Sequence, residues 1–97
     1  FQAWAEVDLE LNKIWPLVKS AVKDLDNNTR EFSPDQANAE ENLLKAQRAW
    51  INYRDGHCDT IGAQFTGGTI QPLVINTCLE DLTRNRIKEL NEFIMER

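Results

Sequence analysis

Apolar residues recur along the first third of the chain in steps of three and four: Trp4, Val7, Leu11, Ile14, Val18, Ala21 and Leu25. On a helix of 3.6 residues per turn this spacing gathers all seven on one stripe, while Glu6, Asp8, Glu10, Lys13, Lys19 and Lys23 fall on the wet side. The pattern predicts one long helix over about residues 2–27. Pro16 interrupts it. An interior proline removes a backbone hydrogen bond and crowds the preceding turn, so a kink is expected there. Asp26-Asn27-Asn28 follows as a stop signal, since Asn accepts the left-handed conformation common after a helix end.

A second helix is expected over about residues 34–60. Ser33 can cap it, Pro34 suits its first position, and Gln36 completes a capping box. Leu43, Leu44, Ala46, Trp50, Ile51 and Tyr53 carry the pattern to about Cys58, where Gly56 weakens the end and Gly62 can finish it. Gln64 to Gln71 reads as a loop centred on Gly67-Gly68. A third helix, over about residues 70–96, has Thr69 as its cap and Pro72 in its first turn, where a missing N–H costs little. Ile75, Leu79, Leu82, Arg86, Leu90 and Phe93 mark its inner face, with Ile87 and Ile94 beside them. No strand-like alternation, internal repeat or low-complexity segment is present. Short connections make successive helices antiparallel, so the expected fold is all-α: one domain over residues 1–97, built as a three-helix antiparallel bundle.

Charge narrows the partners. The net charge is -5, from 11 Lys and Arg against 16 Asp and Glu. Residues 1–32 carry four basic and six acidic groups, residues 33–60 three and five, and residues 61–97 four and five. No basic cluster emerges, which argues against nucleic acid, because phosphate binding needs gathered Lys and Arg. A cationic protein partner is compatible with this surface. No apolar run approaches the ~20 residues of a membrane span. The chain begins at Phe1 rather than Met, as expected of a mature or trimmed product.

Candidate chemistry is sparse. His57 adjoins Cys58, and neighbouring helical residues point about 100° apart, so they do not form a nucleophile–base pair. One His and two Cys, without a CxxC, make a poor metal site. No glycine-rich strand–helix turn, HExxH or GxSxG appears. No catalytic residue, metal or cofactor is therefore expected. Cys58 and Cys78 form either a disulfide, if the protein is exported, or two buried thiols, if it is cytosolic. Arg48, Trp50, Arg54, Asp55 and Arg86 form a group whose expected role is structural. Arg54 lies one turn beyond Trp50 and can stack on it while pairing with a carboxylate of another helix; Asp55 diverges from its neighbour Arg54. The connector from Asp59 to Gln71 exposes Phe65 beside Thr66, Gly67 and Gly68, and these four are the candidate binding loop.

The block AQRAWINYRDGHC, the Gly-Gly loop and IQPLVINTCLEDLTRNRIKEL resemble small exported bacterial domains of the LprI-type, lysozyme-inhibitor-like family. The upstream VDLELNKIW is similar to that family's ADxELNxxY stretch, with Trp15 in place of the usual Tyr. Gly56-His57 stands where a small-acidic pair often precedes the cysteine, and a cysteine pair often found upstream is absent from this chain. The resemblance implies an all-helical domain in the periplasm, on a lipid-anchored protein, or secreted. It also implies a Cys58–Cys78 bridge tying the loop between helices 2 and 3. It brings no inhibitory motif that maps residue by residue. The function expected is an exported helical protein-binding module, with inhibition of lysozyme as its specific form. The alternative is a non-inhibitory structural or interaction domain of the bacterial envelope.

Overall fold

The computed structural model describes the backbone of residues 2–95 and the side chains of residues 3–95. It contains three helices: α1 over Gln2–Arg30, α2 over Ala39–Ala63 and α3 over Gln71–Met95, with a short 3-10 helix at Pro34–Gln36 between the first two. Among the described residues there is no strand. The expected last residue of the third helix, Glu96, lies outside the described residues. The molecule is a rod of 57 × 22 × 15 Å. Helix α3 packs along both of the others, and α1 meets α2 over a smaller area.

The core follows from the stripe on α1, with two corrections. Val7, Leu11, Val18 and Ala21 are buried as their spacing predicts. Leu25 is 44% exposed, and Val22 and Asp26 take the buried positions at this end of the stripe. Steps of four (18, 22, 26) replace the expected step from 21 to 25. Leu11, Val18 and Val22 meet Leu43 of α2 and Leu90 of α3, with Ile14, Trp15, Trp50, Ile87 and Ile94 packed around them. Each fully buried aliphatic side chain contributes about 1.5–3 kcal/mol relative to leaving it in water. On α3, Phe93 is exposed and Thr83 is fully buried, so the inner stripe runs through Thr83 and Leu90. The Thr83 Oγ1 has no hydrogen-bond partner among the described residues.

The ends of the helices differ from the expected signals for identifiable reasons. Helix α1 continues unbroken through Pro16 and past Asp26-Asn27-Asn28 to Arg30, whose guanidinium donates to Asn27 Oδ1 at 2.8 Å. The capping box at Ser33–Gln36 does not form. Ser33 makes no side-chain cap bond, and Pro34–Gln36 is only a 3-10 turn. The start of α2 is set by Asp26: Ala39 N–H donates to Oδ1 at 2.8 Å and Glu40 N–H to Oδ2 at 3.0 Å. A carboxylate from α1 thus satisfies two of the N–H groups that a helix start leaves open. Lys23 of α1 and Glu40 of α2 approach to 3.8 Å at the same junction. At α3, Ile70 rather than Thr69 stands just before the helix, and its carbonyl accepts from Val74 N–H at 3.0 Å.

Candidate functional site

Trp4, near the start of α1, faces Arg54 of α2, while Asp26, near the end of α1, faces the start of α2. Helices α2 and α3 carry on together beyond the level of Trp4 and form a hairpin end. Two features hold this end. The first is the disulfide between Cys58 and Cys78, with Cα atoms 5.5 Å apart. The Cys58 side is fully buried. The second is a close approach one turn further out, where Gly62 lies against Ile75. A methyl group added at Gly62 would collide with Ile75 Cγ1 and lie 2.7 Å from its Cδ1. The sequence pattern makes Gly62 a helix end. It is instead a buried position inside α2, and its missing side chain is what lets α3 come near.

The connection between these helices is shorter than the expected Asp59–Gln71 segment, because α2 continues to Ala63. Its first residues close the last turn of α2. Phe65 N–H donates to Gly62 O at 2.9 Å, and Gln71 Nε2 donates to the same carbonyl at 3.1 Å. Thr66 Oγ1 donates to Ala63 O at 2.7 Å. Carbonyls that a helix end leaves open are therefore filled by the loop itself. Gly67 has φ +84°, a left-handed conformation that suits glycine, and Gly68 N–H returns to Phe65 O at 2.9 Å. Phe65 is 38% exposed on this tip.

Below the hairpin end lies the arginine–tryptophan group. Arg54 is buried, with its guanidinium carbon 4.9 Å from the ring centre of Trp4 and 5.0 Å from that of Trp50. The stack on Trp50 is as expected; the second ring, from α1, is a contact that spacing alone could not disclose. The expected divergence of Arg54 and Asp55 is corrected: Arg54 Nε donates to Asp55 Oδ1 at 2.9 Å, so the paired carboxylate belongs to the same helix rather than to another one. The long arginine stem bends back across the interval that separates the two Cβ directions. Arg86 of α3 lies 6.0 Å from the Trp50 ring and donates from Nε to Gln47 Oε1 of α2 at 2.9 Å. Gln47 is buried; four residues after Leu43 and three before Trp50, it shares their stripe, but its polar side chain makes it read as a surface position. Arg48 is exposed and stands outside the group. Tyr53 and His57 stack on the surface of α2, ring centres 5.3 Å apart.

Asp26 has a displaced acidity. Its carboxyl is held below the ordinary carboxylate value, first by the Glu40 N–H; burial opposes this, and the Ala39 N–H and the Arg30 charge reinforce it. Among the described residues, no three His, Cys, Asp or Glu side chains gather as metal ligands would, and no helix is long and apolar enough to cross a membrane.

The chain is 42% identical, over 93 residues, to an uncharacterized protein of Rhizobium meliloti (strain 1021), a match covering 96% of this chain and 67% of that protein. No solved structure matches it. The family described as "Lysozyme inhibitor LprI" matches residues 1–90, which is nearly all of the helical rod and includes both cysteines. With its three helices and its bridge between α2 and α3, the chain belongs to the LprI lysozyme-inhibitor family.

Proposed function

We propose that this chain is an exported helical inhibitor that binds a lysozyme-type muramidase and slows cell-wall lysis by contact, with no chemistry of its own. The family match over residues 1–90 is the observation that carries this reading. Three features support it. The Cys58–Cys78 bridge suits an oxidising compartment, the periplasm or the extracellular medium. The net charge of -5 suits a cationic partner and speeds encounter with it. The tip formed by Phe65, Thr66, Gly67 and Gly68 stands on a base fixed by a covalent bond, the arrangement common to binding loops.

The experiment is a lysis assay on bacterial cell walls with a cationic lysozyme and increasing amounts of the purified chain. Lysis is expected to slow and then saturate. Replacing Phe65 by Ala is expected to weaken inhibition about tenfold, as for the loss of one apolar anchor. Undiminished lysis at a large molar excess of the wild-type chain would remove the inhibitor reading. A non-inhibitory envelope interaction domain would then remain.

A further inference from the structure

On one side of the disulfide, a groove of about 510 Å³ lies between α2 and α3. His57 and Ile61, one turn apart, line it from α2; Leu73, Val74, Asp81 and Leu82 line it from α3, and Cys78 is part of the lining. Leu73 is 55% exposed there, and Ile70, three residues before it, is 49% exposed. A lone exposed leucine is ordinary, but an apolar groove bordered by polar groups is the form of an interaction site.

The charge around it is one-sided. From Asp55 to Thr83 the chain has no Lys and no Arg, yet it has four carboxylates, Asp55, Asp59, Glu80 and Asp81. Two of these are paired with cations from just outside the interval: Asp55 with Arg54 at 2.9 Å and Glu80 with Arg84 at 3.0 Å. Asp81, which lines the groove, pairs with no cation among the described residues. An acidic segment or a nucleic acid entering the groove would meet an uncompensated carboxylate. A segment carrying a Lys or Arg beside an apolar side chain would satisfy both halves of the groove at once.

We infer that the α2–α3 groove is a docking site for a basic segment of a partner protein. An aliphatic or aromatic side chain enters between Ile61, Leu73 and Leu82, and an adjacent Lys or Arg pairs with Asp81. The inference rests on the proposed binding role and places part of that contact in the groove, beside the Phe65 tip.

The test is a backbone-amide NMR titration of the whole chain with a short peptide of alternating Leu and Lys, and with a matched peptide of Leu and Glu. The Lys peptide is expected to shift the amides of Ile61, Leu73, Val74 and Asp81, and the Glu peptide to leave them in place. Asp81→Lys and Leu73→Asp are each expected to weaken binding about tenfold. Leu9→Asp, at an apolar position 59% exposed on α1, is expected to leave it unchanged. Raising salt from about 50 to about 300 mM should weaken the wild type more than Asp81→Asn, since added salt screens the exposed pair. Asp81→Asn, which keeps the volume of the side chain, decides the matter if Leu73→Asp loses its helical circular dichroism. Shifts confined to other surfaces, equal binding of the Glu peptide, or insensitivity to Asp81 would overturn the inference. The titration needs no lysozyme. A failed lysis assay with a positive titration removes only the muramidase reading, and inhibition with a negative titration removes only the groove.

Discussion

The Arg54 guanidinium carbon lies 4.9 Å from the ring centre of Trp4 and 5.0 Å from that of Trp50, and its own neighbour Asp55 takes the Nε hydrogen. Such a site needs the flat face of a guanidinium: an ammonium keeps the charge but cannot cover two rings. Arg54→Lys is therefore expected to cost about 1–2 kcal/mol in urea unfolding at neutral pH, together with a changed tryptophan emission. Unaltered stability and emission would show that the two stacks contribute nothing. The Trp50–Arg54 half of this site was legible in the sequence, because residues four apart share a helix face. The Trp4 half was not, because it depends on which turn of α1 meets α2. Asp55 departs from its expected direction for a different reason. Helical directions describe where a side chain leaves the backbone, and a long flexible stem does not have to continue that way. Thr83 lies four residues after Leu79 and seven before Leu90, so its spacing is that of an inward position, but its hydroxyl makes it read as a surface residue beside Leu82.

At the scale of elements, the junction between α1 and α2 shows what a local signal can miss. Ser33, Pro34 and Gln36 are each suited to a helix start, and together they do make a 3-10 turn. The α-helix waits for the Asp26 carboxylate, thirteen residues before Ala39, which accepts two backbone N–H groups across the turn. A start signal carried by another helix is invisible to any window that reads one helix at a time. The displaced acidity of Asp26 gives this cap a sign in pH. Because its folded value lies below the unfolded one, its contribution is complete above the ordinary carboxylate range and is lost as pH falls through the folded value. Asp26→Asn is expected to lower the urea midpoint at pH 7, and the gap from wild type should narrow as both are acidified. A gap that stays constant down to strongly acid pH would show that the carboxylate charge has no part in the cap. Gly62 teaches a related lesson. Glycine in a helical pattern suggests a terminus, whereas here it sits inside the helix against Ile75 of α3, where a Cβ would not fit.

For the molecule as a whole, the all-helical bundle was legible because each helix repeats its apolar spacing several times, so that single misplacements such as Leu25 and Phe93 did not change the fold. The bridge became legible only through the resemblance, since an even number of cysteines leaves two states open. Reducing it is expected to lower stability by about 3 kcal/mol in the chain-entropy view, because it closes a segment with a sequence separation of 20. Thermal unfolding with and without reductant, or of Cys58→Ser combined with Cys78→Ser, measures this; an unchanged midpoint would count against the bridge as a stabilising element. The groove was the least legible feature. His57 and Ile61 lie on one helix, Leu73 and Asp81 on another, and only the pairing of the two helices makes them one surface.

The absence of Lys and Arg from Asp55 to Thr83 also bears on how the protein would withstand proteases in its surroundings. Exposed glycine-bearing tips are common places for a backbone to be cut, yet a trypsin-like enzyme finds no cleavage residue anywhere in this hairpin end. An enzyme of different preference that nicks between Gly67 and Gly68 would cut a chain whose two sides are already joined by Cys58 and Cys78. The halves would stay together, so a single cleavage would remain silent until a reductant arrived.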